Sequence, residues 1–419
     1  MPDVAAKTIA CMINNKLFYL LFYLKLEIKT DNQDFSLVLG GPLFQLFRKA
    51  HLSGTDLELL KRRVVFIVLF TWLPLLVLSA LNGKVVGSDV PVPFLFDLET
   101  QIRYLIIIPL LVSAELIVHK RMRTQVSQFL KRKLIPEDET AKFYSALTSS
   151  LKLRNSVLAE VILVLFVYIV GVMIIWPKFI ALKTNTWYMS VHDGESVLSP
   201  AGIWLGYVSI PFFQFLLIRW YYRIFIWIRF LWKVSRIKLN LIPLHPDRLG
   251  GLGFLTMTVF AFIPLVIAHG ALISGQISNR IFYLGESLLD FKPEIFVVIL
   301  FLFFVFLVPL MVFSPQLAES KRNGKRLYGI VAQDYVREFD YKWLQKKAPP
   351  DEPLIGSSDI QSLADLGNSY EVVDKMKIIP FSRDGVIQII GAALLPILPL
   401  ALTLMPLEEL LKKLVSVLF

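Results

Sequence analysis

Apolar residues in this chain gather in long unbroken runs, not in the alternating pattern of a half-buried strand. Seven runs stand out: Val64–Leu81, Tyr104–Val118, Ser156–Trp176, Ala201–Ile218, Phe254–Ser274, Ile295–Phe313 and Val386–Met405. All but the shorter Tyr104–Val118 are close to the roughly 20 residues that a helix needs to cross about 30 Å of hydrocarbon. The pattern therefore predicts an all-α fold, a polytopic transmembrane helical bundle of about seven spans with cytoplasmic helical extensions. The fourth run continues to about Trp232 as an aromatic segment interleaved with arginines, which reads as an interfacial belt on a helix that emerges from the bilayer.

Between the runs the chain divides as follows. Residues 1–35 read as a divergent extension. Its Leu17–Leu24 run is too short to span and lacks a small-residue cleavage site, and Met12 is an alternative start. Residues 36–63 hold an interfacial helix over Leu39–Lys49 and a Thr55-Asp56 cap for the first span. Residues 64–316 form a six-span bundle with basic cytoplasmic connections, and the one over 120–155 is helical on both sides of Pro136. Residues 317–383 form a cytoplasmic helical segment, broken at Ala348-Pro-Pro-Asp-Glu-Pro and resumed at a Ser358/Gln361 capping box. Residues 384–419 hold the seventh span and an amphipathic C-terminal helix. Prolines fall within most runs, at Pro74, Pro109, Pro211, Pro264, Pro309, Pro396 and Pro399, and each predicts a kink.

Charge orients the spans. The net charge is +11, and 36 of the 44 Lys and Arg residues fall in alternate connections. If these face the cytoplasm, the asymmetry obeys the positive-inside rule, with the N-terminus inside and the C-terminus outside. The same asymmetry makes the anionic lipid surface the partner of the excess charge and gives nucleic acid no role. A single cysteine, Cys11, rules out an internal disulfide framework. Gly171, Gly206, Gly270 and Gly275 are small enough to line helix contacts, within one copy or between copies of a homo-oligomer.

Few ionisable residues fall inside the runs. Glu115 lies in the cytoplasmic half of the second, Glu160 one turn into the third and His269 toward the outer end of the fifth. A charge at such depth is costly and marks either a pathway or an ion pair with a neighbouring helix. At the mouth of the fifth run, His245-Pro246-Asp247-Arg248-Leu249-Gly250-Gly251-Leu252-Gly253 combines turn residues, a cap and three glycines. It reads either as a turn built for tight packing or as an anion-binding mouth of free amides beside Arg248. Leu327, Val331, Tyr335, Phe339 and Trp343 recur every four residues, as a helical stripe for internal support or for docking a cytoplasmic protein. No nucleophile elbow, metal-ligand spacing or phosphate loop is present, so no catalytic residue, metal or cofactor is expected.

The His-Pro-Asp string, together with Ser362-Leu-Ala-Asp365-Leu-Gly367-Asn368-Ser-Tyr370-Glu371 and the following Ile379-Pro-Phe, resembles sequences of a group of bacterial integral membrane proteins to which no activity is assigned. The resemblance covers roughly residues 35–419 and implies a bacterial inner-membrane protein. Three functions fit these readings. The chain is a channel or transporter for an ion or small solute, with Glu115 in the pathway and Arg248 at its entrance. Alternatively it is a membrane scaffold or sensor that recruits a partner through 317–383, or an intramembrane enzyme on a lipid-linked substrate with His245 and Asp247 as acid and base.

Overall fold

Helices of membrane length make up most of the molecule. The computed structural model describes residues 35–51, 59–87, 90–180, 185–192 and 195–404. In chain order the helices are α1 (Pro42–Lys49), α2 (Leu60–Leu81), α3 (Leu98–Lys131), α4 (Thr140–Arg154), α5 (Val157–Trp176), α6 (Pro200–Val234), α7 (Leu252–Leu284), α8 (Leu288–Leu344), α9 (Ser358–Asp374) and α10 (Arg383–Leu394). Of these, α2, α3, α5, α6, α7 and α8 are long and apolar enough to cross a membrane. A short antiparallel hairpin, β1 (Met189–His192) and β2 (Glu195–Leu198), precedes α6. Residues from Leu37 onward form one compact unit. The expected Thr55-Asp56 cap, the N-terminal extension up to residue 34 and the tail from Met405 lie outside the described residues.

The spans are sorted by what their faces carry. Along α2 the buried residues are Arg63, Ile67, Thr71, Leu75 and Ser79, four apart on one stripe. Val65, Phe66, Leu69, Phe70, Leu73 and Val77 are exposed on the remaining surface. Hydrocarbon is as apolar as leucine, so the polar side chains turn inward and the aliphatic ones face out. Half or more of the apolar window is buried in α3, α6 and α7, against 22% in α2, α5 and α8. The first three therefore form the centre of the bundle and the others its periphery.

Irregular turns accompany several of the expected prolines, whereas Pro74 lies within the uninterrupted α2. Pro109 follows a widened turn at Ile102–Ile107, Pro211 one at Leu205–Ser209, and Pro264 a tightened helix at Leu252–Ala261. A proline has no N–H to give the carbonyl four residues back, so that carbonyl needs another donor. The carbonyl of Tyr207, four before Pro211, accepts the Tyr168 hydroxyl at 3.2 Å.

The seventh run departs from a continuous span. Helix α10 has 12 residues, and after Leu394 the chain turns through Pro396 into a tight helix at Leu398–Thr403. It packs along α7. A side chain at Gly270 of α7 would collide with the Ala393 carbonyl, and the Ser274 hydroxyl donates to the Pro396 carbonyl at 2.7 Å. Ile397 and Leu400 pack with Ile273, Ile277 and Phe291. Among the described residues the bundle thus has six helices of membrane-crossing length and one broken segment. Gly171, Gly206, Gly270 and Gly275 all serve contacts within this one chain, facing Gln214, Trp176, Ala393 and Glu99.

Two further expectations need correction. The second span starts earlier than Tyr104, at Leu98, because Asp97 caps it by accepting the Thr100 N–H. The cap of α9 is Ser357 rather than Ser358, and its side chain makes no capping bond.

Candidate functional site

At the basic end of the bundle, five charged side chains from four helices meet out of solvent. Glu115 on α3 is 2.7 Å from Arg63 of α2, 2.8 Å from Arg223 of α6 and 3.5 Å from Arg219 of α6. Arg219 also pairs with Glu160 of α5 at 3.0 Å. The second oxygen of Glu160 accepts the Leu43 N–H at 2.8 Å, in the first turn of α1, and the Gly41 N–H reaches the Asn155 side chain at 3.2 Å. Arg63 lies over the Phe47 ring of α1 and Arg223 over Trp220. The two glutamates read from the sequence as buried charges thus belong to one network, which also fastens α1. Each carboxylate is needed to compensate arginines that would otherwise be stranded. From the sequence Arg63, Arg219 and Arg223 stood out only as basic residues flanking the first and fourth runs, which orient the spans, and the four-residue spacing of Arg219 and Arg223 was the signal that they share a helix face.

The His245–Gly253 loop joins α6 to α7. The Asp247 carboxylate accepts the N–H groups of Leu249 at 2.8 Å, Gly251 at 3.2 Å and Gly253 at 2.8 Å. The amides that the sequence offered to an external anion therefore point at the chain's own carboxylate. Gly250 and Gly251 have φ of +63° and +99°, a region that a Cβ disfavours. Arg248 adopts φ +55° and its carbonyl accepts the Lys377 N–H at 2.7 Å. Nδ1 of His245 lies 3.0 Å from Asp247 Oδ1 and 3.2 Å from the Asp247 N–H. A proton on that nitrogen selects the carboxylate, and its absence selects the amide. Arg132, the residue that ends α3, donates to the Gly251 carbonyl at 3.1 Å. A side chain at Gly324 of α8 would press on Pro243 and Val373. The loop is the joint at which α3, α8 and the segment after α9 converge.

Beyond the joint, α8 and α9 pack on one another. Asp359 accepts from Lys342 at 2.8 Å and from the Trp343 indole at 2.9 Å, and these two donors, the ammonium first, hold its carboxyl below the usual range. The Tyr335 hydroxyl donates to the Asp359 carbonyl at 3.0 Å. The predicted stripe therefore divides. Tyr335, Phe339 and Trp343 are half-buried, whereas Leu327 and Val331 are exposed, with Ile330 beside them.

At the opposite end, near the hairpin, lies a cavity of about 440 Å³ between α3, α7 and the start of α8. Its walls include Asp97, Glu99 and Arg103 from the entry to α3, Gln276 and Arg280 from α7, and Glu294 from α8. Asp97 receives the Thr100 N–H and hydroxyl, the Trp187 indole at 3.0 Å and the Asn279 amide at 2.8 Å. With four donors it pins the hairpin to α3 and α7. Arg103 pairs with Glu99 one helical turn earlier, and both Arg103 and Asp97 are 5% exposed. Arg280 pairs with Glu286 at 2.8 Å and covers the Phe291 ring. The sequence reading passed over this site. The available signal was three ionisable residues within seven positions at the mouth of an apolar run.

His269 sits in neither place. Its Nδ1 donates to the Leu265 carbonyl at 2.6 Å, so its Nε2 accepts the Tyr221 hydroxyl, with Phe301 alongside. Among the described residues, no group of three or more His, Cys, Asp or Glu is placed to hold a metal ion. Comparison with protein-family models, curated proteins and solved structures finds no match to this chain.

Proposed function

We propose that this integral membrane protein carries a small polar solute across a bacterial inner membrane, with the basic end in the cytoplasm and the hairpin end outside. The observation that supports the reading is the cavity between α3, α7 and α8. It combines buried charge with open volume, within the roughly 300–1,000 Å³ of ordinary small-molecule sites. A bundle that only anchors a partner has no use for charged side chains around an internal space, since their desolvation is costly. At the cytoplasmic end the Arg63–Glu115–Arg219–Glu160 network acts as the closed side of the pathway rather than as its conduit.

The test is solute flux in proteoliposomes over a panel of potassium, chloride, protons, glycine and tetramethylammonium. Gln276 is exposed on the cavity wall, so Gln276→Trp obstructs the space without removing a charge. Flux above empty vesicles that this variant abolishes supports the reading, and absence of flux for every solute with folded protein overturns it.

A second reading, recruitment of a cytoplasmic partner, draws on one observation. Leu327, Ile330 and Val331 stand together on α8, each more than half exposed. Capture of a partner that is lost in Leu327→Ser, Val331→Ser would move the weight to it.

A further inference from the structure

Charge around the hairpin-end cavity is unequal, and this bears on what it holds. The lining carries three carboxylates, Asp97, Glu99 and Glu294, against two guanidiniums, Arg103 and Arg280. Arg280 is already engaged by Glu286, which is not part of the lining, and Arg103 by Glu99. What remains is Asp97, whose carboxylate accepts from four N–H and O–H donors, none of them cationic, and Glu294, exposed at the rim. A surplus of negative charge beside a low-dielectric wall attracts a cation and excludes anions.

The rest of the wall narrows the class. Trp176, Tyr188 and Tyr283 line the same space together with Leu205, Ile273 and Phe291. Aromatic faces stabilise cations that shed water readily, such as alkylammonium and guanidinium groups, more than strongly hydrated metal ions. Phe291 gives the precedent within the cavity, because its ring carries the Arg280 guanidinium at 4.6 Å. A metal site would need several oxygens converging on one point. Asp97 instead spends both its oxygens on protein donors, and Glu99 pairs with Arg103.

From this geometry we infer that the cavity binds a small organic monocation, an alkylammonium or guanidinium compound, with Glu294 attracting it at the rim and Trp176, Tyr188 and Tyr283 enclosing it. The inference rests on the transport reading for its purpose but not for its test. Binding is measured on purified full-length protein in detergent by isothermal titration calorimetry, with tetramethylammonium chloride, glycine betaine and sodium acetate as probes. Tetramethylammonium is expected to bind, glycine betaine more weakly and acetate not at all. Glu294→Gln, an exposed change that leaves the packing intact, is expected to weaken tetramethylammonium about tenfold, and Tyr283→Leu to weaken it several-fold. Raising the salt should weaken wild type more than Glu294→Gln.

Preference for acetate or betaine, or no heat with any probe from protein whose melting curve is normal, overturns the inference. Equal affinity in wild type and Glu294→Gln overturns it as well. Tetramethylammonium binding without flux in vesicles upholds this inference and sinks the transport reading. Flux of another solute without tetramethylammonium binding does the reverse.

Discussion

The two ends of the bundle both bury charge, and they use it in opposite ways. At the basic end Glu115 is ringed by Arg63, Arg219 and Arg223 at 2.7–3.5 Å, Glu160 shares Arg219 and the first turn of α1, and the Asp247 carboxylate accepts three amides of its own loop. These side chains answer one another. At the hairpin end Asp97 and Arg103 are as buried and Glu99 half-buried, yet they border about 440 Å³ of space and leave an unbalanced carboxylate at the rim. Buried charge therefore does not by itself mark a site. A charge matched by fixed partners holds helices together, and a charge beside unfilled volume is available to a ligand.

The largest test of this contrast is Glu115→Gln. It strands the buried guanidiniums of Arg63 and Arg223, leaves Arg219 to Glu160 alone, and is expected to cost about 3–5 kcal/mol, read as a large drop in detergent melting temperature or loss of folded protein. A Glu115→Gln protein as stable as wild type would remove the structural role assigned to the network. Removing Asp247 is expected to cost less, about 2–3 kcal/mol, by orphaning the N–H groups of Leu249, Gly251 and Gly253. Limited proteolysis of Asp247→Ala should cut first at this joint, where Arg248 holds Lys377, and Asp247→Asn should recover part of the loss. Gly270→Ala drives a methyl group into the Ala393 carbonyl and is expected to cost about 1–3 kcal/mol in the melt while leaving the α8–α9 extension untouched.

The smallest effect lies in the extension. The Lys342 ammonium and the Trp343 indole depress the Asp359 carboxyl. A depressed folded-state value means that the contact contributes fully above the ordinary aspartate range near about 4 and fades as pH falls through the lower folded value. Trp343 fluorescence should hold steady from pH 7 to about 5 and change only below the ordinary range. Asp359→Asn should abolish that transition.

Much of the fold could be read along the chain. Span positions follow from run length, and Ser156 stands one residue before α5 with its hydroxyl on the Ala159 N–H, as a start signal should. Proline predicted irregularity at Pro109, Pro211 and Pro264 because a missing donor is a local fact. Pro396 and Pro399 likewise predicted the break in the seventh run, where the helix ends at Leu394 and a tight helix resumes at Leu398. Boundaries failed where a cap lay in polar sequence, as at Asp97. Of the site residues, Glu115 and Glu160 were visible as misplaced charges, but their connection was not, since Glu160 and Arg219 are 59 positions apart. Asp97 and Asn279 are 182 apart, and nothing local announces that they share a hydrogen bond.

The sequence by itself determined that the molecule is a membrane bundle, which segments cross, and which end carries the basic residues. Each of these depends on transfer of a segment between water and hydrocarbon, a property of composition over some 20 residues. Only the tertiary structure decided that the glutamates of α3 and α5 are locked by arginines, that the glycine amides of the His245–Gly253 loop serve Asp247, and that volume remains beside Asp97, Glu99 and Glu294. Those outcomes depend on which helix faces meet and how completely they fill the space between them, and close packing is a property of the assembled bundle that no single segment carries.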